Sequence, residues 1–215
     1  KIIFIDGHDD TLIDKNYLKH GVYFKRELQE NLASVKSISF AVPKSKILKS
    51  VDNEPANLIA PLIPGRSKTY IYDTEDEYYK MYQKSIFAIT YKKTGWDCMR
   101  HYEILMNGCI PLFLDIESCP KKIMEDIPKQ RLIEIKNRFQ YIFNSENPFK
   151  IFIKKFQKKT IIIDYLKYKF GSKLNISNFL EKNADVFEIK NNLLNYTKEK
   201  LTTEVLAKKI LKELN

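Results

Sequence analysis

The sequence lacks a long hydrophobic run. No apolar stretch approaches the ~18–20 residues that a helix needs to cross a bilayer, and no signal-peptide pattern stands at the start. The chain opens at Lys1 with a strand-like segment, which indicates an internal piece or a processed form. On these grounds we expect a cytoplasmic protein.

Cysteine is also scarce. The three cysteines, Cys98, Cys109 and Cys119, are an odd number and form no C-x-x-C pair. This spacing argues against a disulfide framework and against a structural zinc. We expect all three to be small, mostly buried hydrophobic residues.

What the sequence does contain is enough apolar material for a folded domain. Its 215 residues are 44% hydrophobic and 13% aromatic, which suits one sizeable domain or two small lobes. The formal net charge of +10 would attract phosphate-bearing ligands, nucleic acid or an anionic membrane face, without choosing between them. Most of these charges are lysines spread along the chain, as is typical of solvated faces.

The most informative stretch is residues 92–114. If residues 97–107 are helical, residues at steps of three and four share a face. One face, expected to point outward, then carries Asp97, Arg100, Glu103 and Asn107, and the other carries Cys98, Tyr102, Leu105 and Met106. Gly108 stands where a left-handed cap would end the helix, and residues 109–114 form a short apolar run typical of a buried parallel strand. The segment therefore predicts half of a βαβ unit.

Two interpretations of the polar face remain open. In the structural one, Asp97 caps the helix and Arg100 pairs with Asp97 and Glu103, each pair contributing about 0.2–0.5 kcal/mol. In the functional one, the loop around Lys93 and Gly95 offers backbone N–H groups to an anion. Arg100 then adds a planar fork for phosphate, and Glu103 accepts from a ribose diol. Together these would be parts of a nucleotide-diphosphate site.

The run Arg-His-Tyr-Glu-Ile-Leu-Met-Asn-Gly-Cys-Ile-Pro-Leu-Phe, residues 100–113, resembles the donor-binding segment of GT-B-type glycosyltransferases. It is most similar to the exostosin-like group and related bacterial and viral enzymes. The resemblance covers residues 78–130 and, more weakly, residues 4–28 and 201–203. It implies that Arg100 holds the diphosphate of a nucleotide sugar and Glu103 its ribose. We accordingly place the substrate on Lys93, Gly95, Trp96, Asp97, Arg100 and Glu103, joined by Lys25 and Arg26.

An acidic loop follows the first predicted strand, residues 1–5. Ligands of open α/β sheets gather at the carboxyl ends of the strands, where the cluster Asp6-Gly7-His8-Asp9-Asp10 stands. The cluster is a metal site, an acid/base group or a polar turn. We predict His8 and Asp9 as the catalytic pair because a base near the working pH must take the acceptor's proton if the transfer inverts configuration. The alternatives are a base on another lobe, or a retaining reaction in which the departing phosphate takes the proton.

Local patterns predict the remaining elements. Residues 22–28 suit a strand or a helix start, and residues 35–42 a strand. Thr74 and Glu77 form a capping box for a helix to about residue 84, followed by a strand at 85–90 and a last strand at 132–135. Helical patterns cover residues 149–170, 176–180 and 191–214. The basic amphipathic segment 149–159 suits a core-facing helix or, alternatively, peripheral membrane contact.

The expected fold is α/β, with a Rossmann-like, mainly parallel sheet and a helical C-terminal region of the GT-B type. Residues 1–54 would form part of an acceptor-side lobe or the first βα units. Residues 55–140 would form the nucleotide-sugar lobe after the proline-rich boundary, and residues 141–215 a helical region packed on the lobes. The expected partners are a nucleotide sugar and a glycan or other hydroxyl acceptor, with no nucleic acid, no metal and no other cofactor.

Two rival functions are kept. One is a basic nucleic-acid-binding module, favoured by charge and by aromatic residues for stacking, although no nucleic-acid-binding signature is present. The other is a metal-dependent GT-A-like enzyme that uses the acidic loop. The identities of the sugar, the base and the acceptor do not follow from the sequence.

Overall fold

A computed structural model describes residues 2–29, 32–51, 53–139 and 176–214. The predicted helix at 149–170, and with it the segment considered for membrane contact, lies outside the described residues. Within them, no helix has the length and apolar character required to cross a membrane.

The first sheet is small and parallel. It comprises β1 (Ile3–Asp6), β2 (Val22–Lys25) and β3 (Val35–Ser37), in that order. Ile5 pairs with Phe24, and Phe24 with Lys36, so the carboxyl ends of all three strands meet at one edge. The strand predicted over residues 35–42 ends early because its later backbone N–H groups find other partners. The amide of Phe40 donates to Asp97, and that of Val42 to the carbonyl of Leu201.

The second sheet is built from two βαβ units. Its elements are β4 (Asn57–Ile59), α1 (Glu75–Gln83), β5 (Ser85–Thr90), α2 (Met99–Met106) and β6 (Ile110–Phe113), and its three strands are parallel in chain order. The predictions for residues 74–114 are thus confirmed at the level of elements. Thr74 accepts from the amide of Glu77 at 3.3 Å, and Gly108, which follows the C-cap Asn107 of α2, has φ of +64°.

The C-terminal helices are α3 (Lys129–Arg138), α4 (Ile176–Lys182), α5 (Val186–Lys200) and α6 (Thr203–Leu211). The strand predicted at 132–135 was wrong. Leu132 and Ile135 are both buried, at a helical spacing of three, so the apolar pattern belongs to one face of α3. The single helix expected over 191–214 is two, because Thr202 caps α6 by accepting from the amide of Val205.

The main core lies between the second sheet and the C-terminal helices. All six residues of β5 are buried, as expected of a parallel strand covered on both faces. Phe87 on β5 packs against Phe139 and against Phe179 of α4, with ring centroids 5.0 and 5.8 Å apart. The described residues thus form an α/β protein with two three-stranded parallel sheets and six α-helices, consistent with a Rossmann-like fold.

Candidate functional site

The two sheets meet where their strands end. The chain leaving β2 carries Arg26 and Glu27, and the loop between β5 and α2 carries Gly95 and Asp97. Arg26 binds Asp9 of the acidic loop after β1 and also donates to the carbonyl of Asp97, while Glu27 accepts from the amide of Asp97. We call Asp9, Arg26, Glu27, Gly95 and Asp97 the edge network. Residues far apart in sequence are brought together here because parallel strands present their carboxyl ends on one side.

Lys25 is buried and fully engaged by the acidic loop. Its Nζ lies 2.9 Å from Asp6 and 3.1 Å from Asp10. Burial alone would raise the pKa of Asp6, but hydrogen bonds from Tyr23 and Lys25 outweigh it and the pKa is lowered. The hydrogen bond from Lys25 likewise lowers the pKa of Asp10. This predicted substrate-binding cation therefore holds the loop in place.

Arg26 is engaged in the same way. Its Nε and Nη2 donate to the carbonyl of Gly7 at 2.9 and 2.8 Å, Nη2 also binds Asp9, and Nη1 donates to the carbonyl of Asp97. The guanidinium lies over the ring of Phe40, 4.6 Å from its centroid. With its donors on protein oxygens, Arg26 joins the two sheets.

Glu27 was not singled out by the sequence, and it occupies the place predicted for an anionic ligand. Its Oε1 accepts from the backbone amide of Asp97 at 2.8 Å, just ahead of α2. A Cβ at Gly95 would lie 2.6 Å from the same oxygen, so glycine permits this close approach. The Asp97 amide thus already binds a carboxylate. No local sequence signal would have identified Glu27, because only tertiary contact pairs it with this loop.

Asp97 differs from its predicted role. The N-cap of α2 is Cys98, and the carboxylate of Asp97 accepts instead from the amide of Phe40 at 2.8 Å and the hydroxyl of Tyr102 at 2.7 Å. Burial raises its pKa to about 6, against these two hydrogen bonds. The face expected to point outward is largely covered, since Asp97, Arg100 and Asn107 are 2%, 8% and 1% exposed.

Trp96 lies in the main core and is held by His101. The ring of His101 stacks on Phe113, and its two nitrogens lie 2.9 Å from Oγ1 of Thr90 and 2.9 Å from the carbonyl of Trp96. Burial lowers the pKa of His101 to about 3, so the imidazole is neutral near pH 7. Because a carbonyl only accepts, Nε2 carries the proton and Nδ1 accepts from Thr90. Lys93, in contrast, is exposed on the same loop.

Arg100 is the exception among the buried cations of this region. It is 8% exposed, and its Nη1 is buried with no hydrogen-bond partner in the described residues. Within that part of the chain it forms no salt bridge with Asp97 or Glu103, so the intrahelical pairing considered from the sequence is not seen. A buried unsatisfied guanidinium nitrogen is costly and calls for a ligand or another explanation.

Glu103 lies one turn further along α2, on the same side as Arg100. Its Oε2 accepts from the hydroxyl of Tyr78 at 2.8 Å, while Oε1 makes no hydrogen bond within the described residues. Burial raises the pKa of Glu103, and the charge of Arg100 opposes that rise. The carboxylate is therefore half-buried with one oxygen open to a donor.

Glu103 lines a cleft of about 290 Å³, which we call the tyrosine cleft. Four tyrosines line it, and the ring centroids of Tyr72 and Tyr78 are 6.3 Å apart. The described residues that line it are Leu62, Tyr70, Tyr72, Asp73, Thr74, Glu75, Tyr78, Tyr79 and Glu103. The sequence showed the density of tyrosines around α1, but only the fold places them opposite α2.

The predicted catalytic pair stands at the rim of the edge network. His8 is exposed, and its amide donates to Asp6 at 3.0 Å. Asp9 is bound by Arg26, and its Oδ1 would lie 3.0 Å from a Cβ at Gly95. Thus the structure assembles Asp9, Arg26, Gly95 and Asp97 in one network, with His8 in the same acidic loop and Lys25 bound to that loop. Glu103 instead lies against Tyr78 of α1, and Arg100 lies one turn before Glu103 on α2.

No group of three or more His, Cys, Asp or Glu residues in the described ranges has a geometry that would hold a metal ion. Comparison with family models, with curated proteins and with solved structures finds no match to this chain.

Proposed function

We propose that this protein is a glycosyltransferase of the GT-B type that moves a sugar from a nucleotide-diphosphate donor to a hydroxyl acceptor in glycan synthesis. The observation that carries the proposal is Nη1 of Arg100, which is buried without a hydrogen-bond partner among the described residues. It lies one helical turn from Glu103, whose Oε1 accepts no hydrogen bond from those residues. A guanidinium suits a phosphate oxygen, and a carboxylate suits a ribose diol. The two residues lie three positions apart on α2, and therefore on the same side of the helix.

The chemistry needs charge stabilisation on the leaving group. As the bond between the sugar's anomeric carbon and the diphosphate oxygen breaks, negative charge builds on the diphosphate, and the acceptor oxygen forms the new bond. Arg100, assisted by the exposed Lys93, would stabilise that charge electrostatically. The Asp97 amide does not contribute, since Glu27 occupies it.

Calorimetric titration with UDP-, GDP-, ADP- and dTDP-sugars tests the donor site. Arg100→Ala should weaken binding of the preferred donor by roughly 10- to 100-fold, because a hydrogen bond to a charged group contributes about 1.5–3 kcal/mol. Glu103→Ala should also weaken it. Arg131→Ala, an exposed arginine on α3, is the matched control and should bind as wild type. Unchanged affinity in both site variants, or no binding of any nucleotide sugar to the wild type, would contradict the proposal.

A general base must take the proton of the acceptor hydroxyl, and we propose His8 with Asp9 for this role. Their loop lies at the carboxyl edge of β1, and Arg26 fixes Asp9 there. His8→Ala and Asp9→Asn should lower turnover by roughly 10²-fold or more with donor affinity preserved. Wild-type turnover in both variants would leave the loop a structural turn.

We further propose that the transfer is independent of metal, because Arg100 and Lys93 already supply positive charge to the leaving group. Full activity in excess EDTA is the expected result. Loss of turnover in chelator, with recovery on addition of manganese, would instead assign the acidic loop, Asp6, Asp9 and Asp10, to a metal.

A further inference from the structure

The negative charge of the tyrosine cleft limits which part of a nucleotide can bind there. Among the described residues, all the charged groups that line it are carboxylates, namely Asp73, Glu75 and Glu103. A diphosphate would be repelled there, so phosphates belong outside the cleft, toward Arg100. The cleft is left for an uncharged part of the ligand that carries hydrogen-bond donors.

The cleft's walls suit a planar ring. Tyr72, Tyr78 and Tyr79 stand close together, with centroids 6.3 Å apart for Tyr72 and Tyr78 and 5.7 Å for Tyr78 and Tyr79. Nucleobases stack on aromatic side chains whatever their sequence identity, because every base has a π-face. With the ribose at Glu103, a base would therefore enter among the tyrosines.

Two of the three carboxylates already accept hydrogen bonds from protein groups. Glu75 accepts from Lys46 at 2.6 Å and from the hydroxyl of Tyr79 at 2.8 Å, and Glu103 accepts from Tyr78. The carboxylate of Asp73 makes no hydrogen bond or ion pair within the described part of the chain. Only its backbone amide is used, as a donor to Glu77. Asp73, an exposed residue that lines the cleft, thus has two carboxylate oxygens available as acceptors.

The geometry points to guanine, and we propose that the donor is a GDP-sugar whose base is selected by Asp73, an inference that rests on the proposed function. Guanine presents two adjacent donors, N1–H and the N2 amino group, which match the two oxygens of a carboxylate. Uracil and thymine present one N–H between two carbonyl oxygens, which a carboxylate repels. Adenine and cytosine present one amino group beside a ring acceptor. Asp73 is thus a specificity-determining residue.

The test compares GDP, ADP and UDP by calorimetry on the wild type, Asp73→Asn and Asp76→Asn. Wild type should bind GDP roughly 10- to 100-fold more tightly than UDP, the range expected for one bidentate contact to a base. Asp73→Asn should lose most of this ratio by weakening GDP binding while UDP binding is retained. Asp76→Asn is the matched control, because Asp76 is an exposed carboxylate on α1 that pairs with Lys80 and does not line the cleft. Both substituted side chains are exposed, so folding is preserved.

Equal affinity of the wild type for GDP and UDP overturns the inference. An equal decrease in the affinities for GDP and UDP in Asp73→Asn also overturns it. Arg100→Ala separates these failures from failure of the proposed function. If Arg100→Ala weakens the binding of all three nucleotides equally and the wild type prefers none of the bases, the donor site is supported and the guanine assignment is wrong. If none of the three nucleotides binds the wild type, the donor site itself is refuted and the guanine assignment with it.

Discussion

Asp97 should make the stability of this protein depend on pH in a direction opposite to that of most carboxylates. The group is 2% exposed, and burial raises its pKa from 3.8 to about 6. Between these two values the folded protein holds a proton that the unfolded chain has released, so the free energy of unfolding falls as pH rises. A difference of about two pH units corresponds to ~3 kcal/mol.

Replacing Asp97 by Asn removes this titration while keeping the size of the side chain. The free energy of unfolding of the wild type minus that of Asp97→Asn should therefore decrease by up to ~3 kcal/mol from pH 4 to pH 7. Taking the difference cancels the groups that titrate equally in both proteins, among them Asp6 and Asp10, whose lowered pKa values act in the opposite sense.

Urea unfolding followed by circular dichroism at half-unit steps of pH would measure the effect. Asp76→Asn serves as the control for exchanging an exposed aspartate for asparagine. A difference for Asp97→Asn that is flat, or that grows with pH, would refute the burial argument. It would show that hydrogen bonds from Phe40 and Tyr102 offset desolvation, if the difference is flat, or outweigh it, if the difference grows with pH.

His101→Asn should show the reverse trend. Burial lowers the pKa of His101 to about 3, so the stability that neutral His101 contributes is present above the unfolded pKa of 6.5. As pH falls toward 3, the free energy of unfolding of the wild type relative to the variant should decrease by up to ~5 kcal/mol. A flat difference from wild type in the same assay would contradict this. Gly108→Ala should destabilise by about 1–2 kcal/mol because φ is +64°, and an unchanged urea midpoint would count against it. Glu27→Leu should lower the free energy of unfolding by about 1–3 kcal/mol, because it leaves the buried amide of Asp97 without its acceptor. A decrease no larger than that caused by Glu134→Leu, at an exposed position, would contradict this.

Elements with local signals were predicted well. The strand at 85–90 matches β5 because its apolar residues are continuous and its ends are marked, and α1 begins after Thr74 because the capping residue acts within one turn. Gly108 ends α2 as expected, since only the backbone conformation at that position decides it. These signals need no distant part of the chain.

Elements that depend on distant partners were predicted poorly. Leu132 and Ile135 suit a strand or a helix over so short a window, and packing against the main core selects the helix. Residues 38–42 have strand-like composition, but the partners of Phe40 and Val42 lie at Asp97 and Leu201. No window along the chain contains both members of these pairs.

The sequence by itself determined the residue types of the candidate site and their spacing on α2, because a helix places positions three apart on one side. Only the tertiary structure decided which of those groups is available. It directs Arg26 to Asp9 and the Asp97 carbonyl, sets Glu27 on the Asp97 amide, and leaves Nη1 of Arg100 without a partner in the described residues. The physical reason is that pairing offsets the cost of burying a charge or an N–H group, and the available partners are those on the strand ends that meet at the sheet edge.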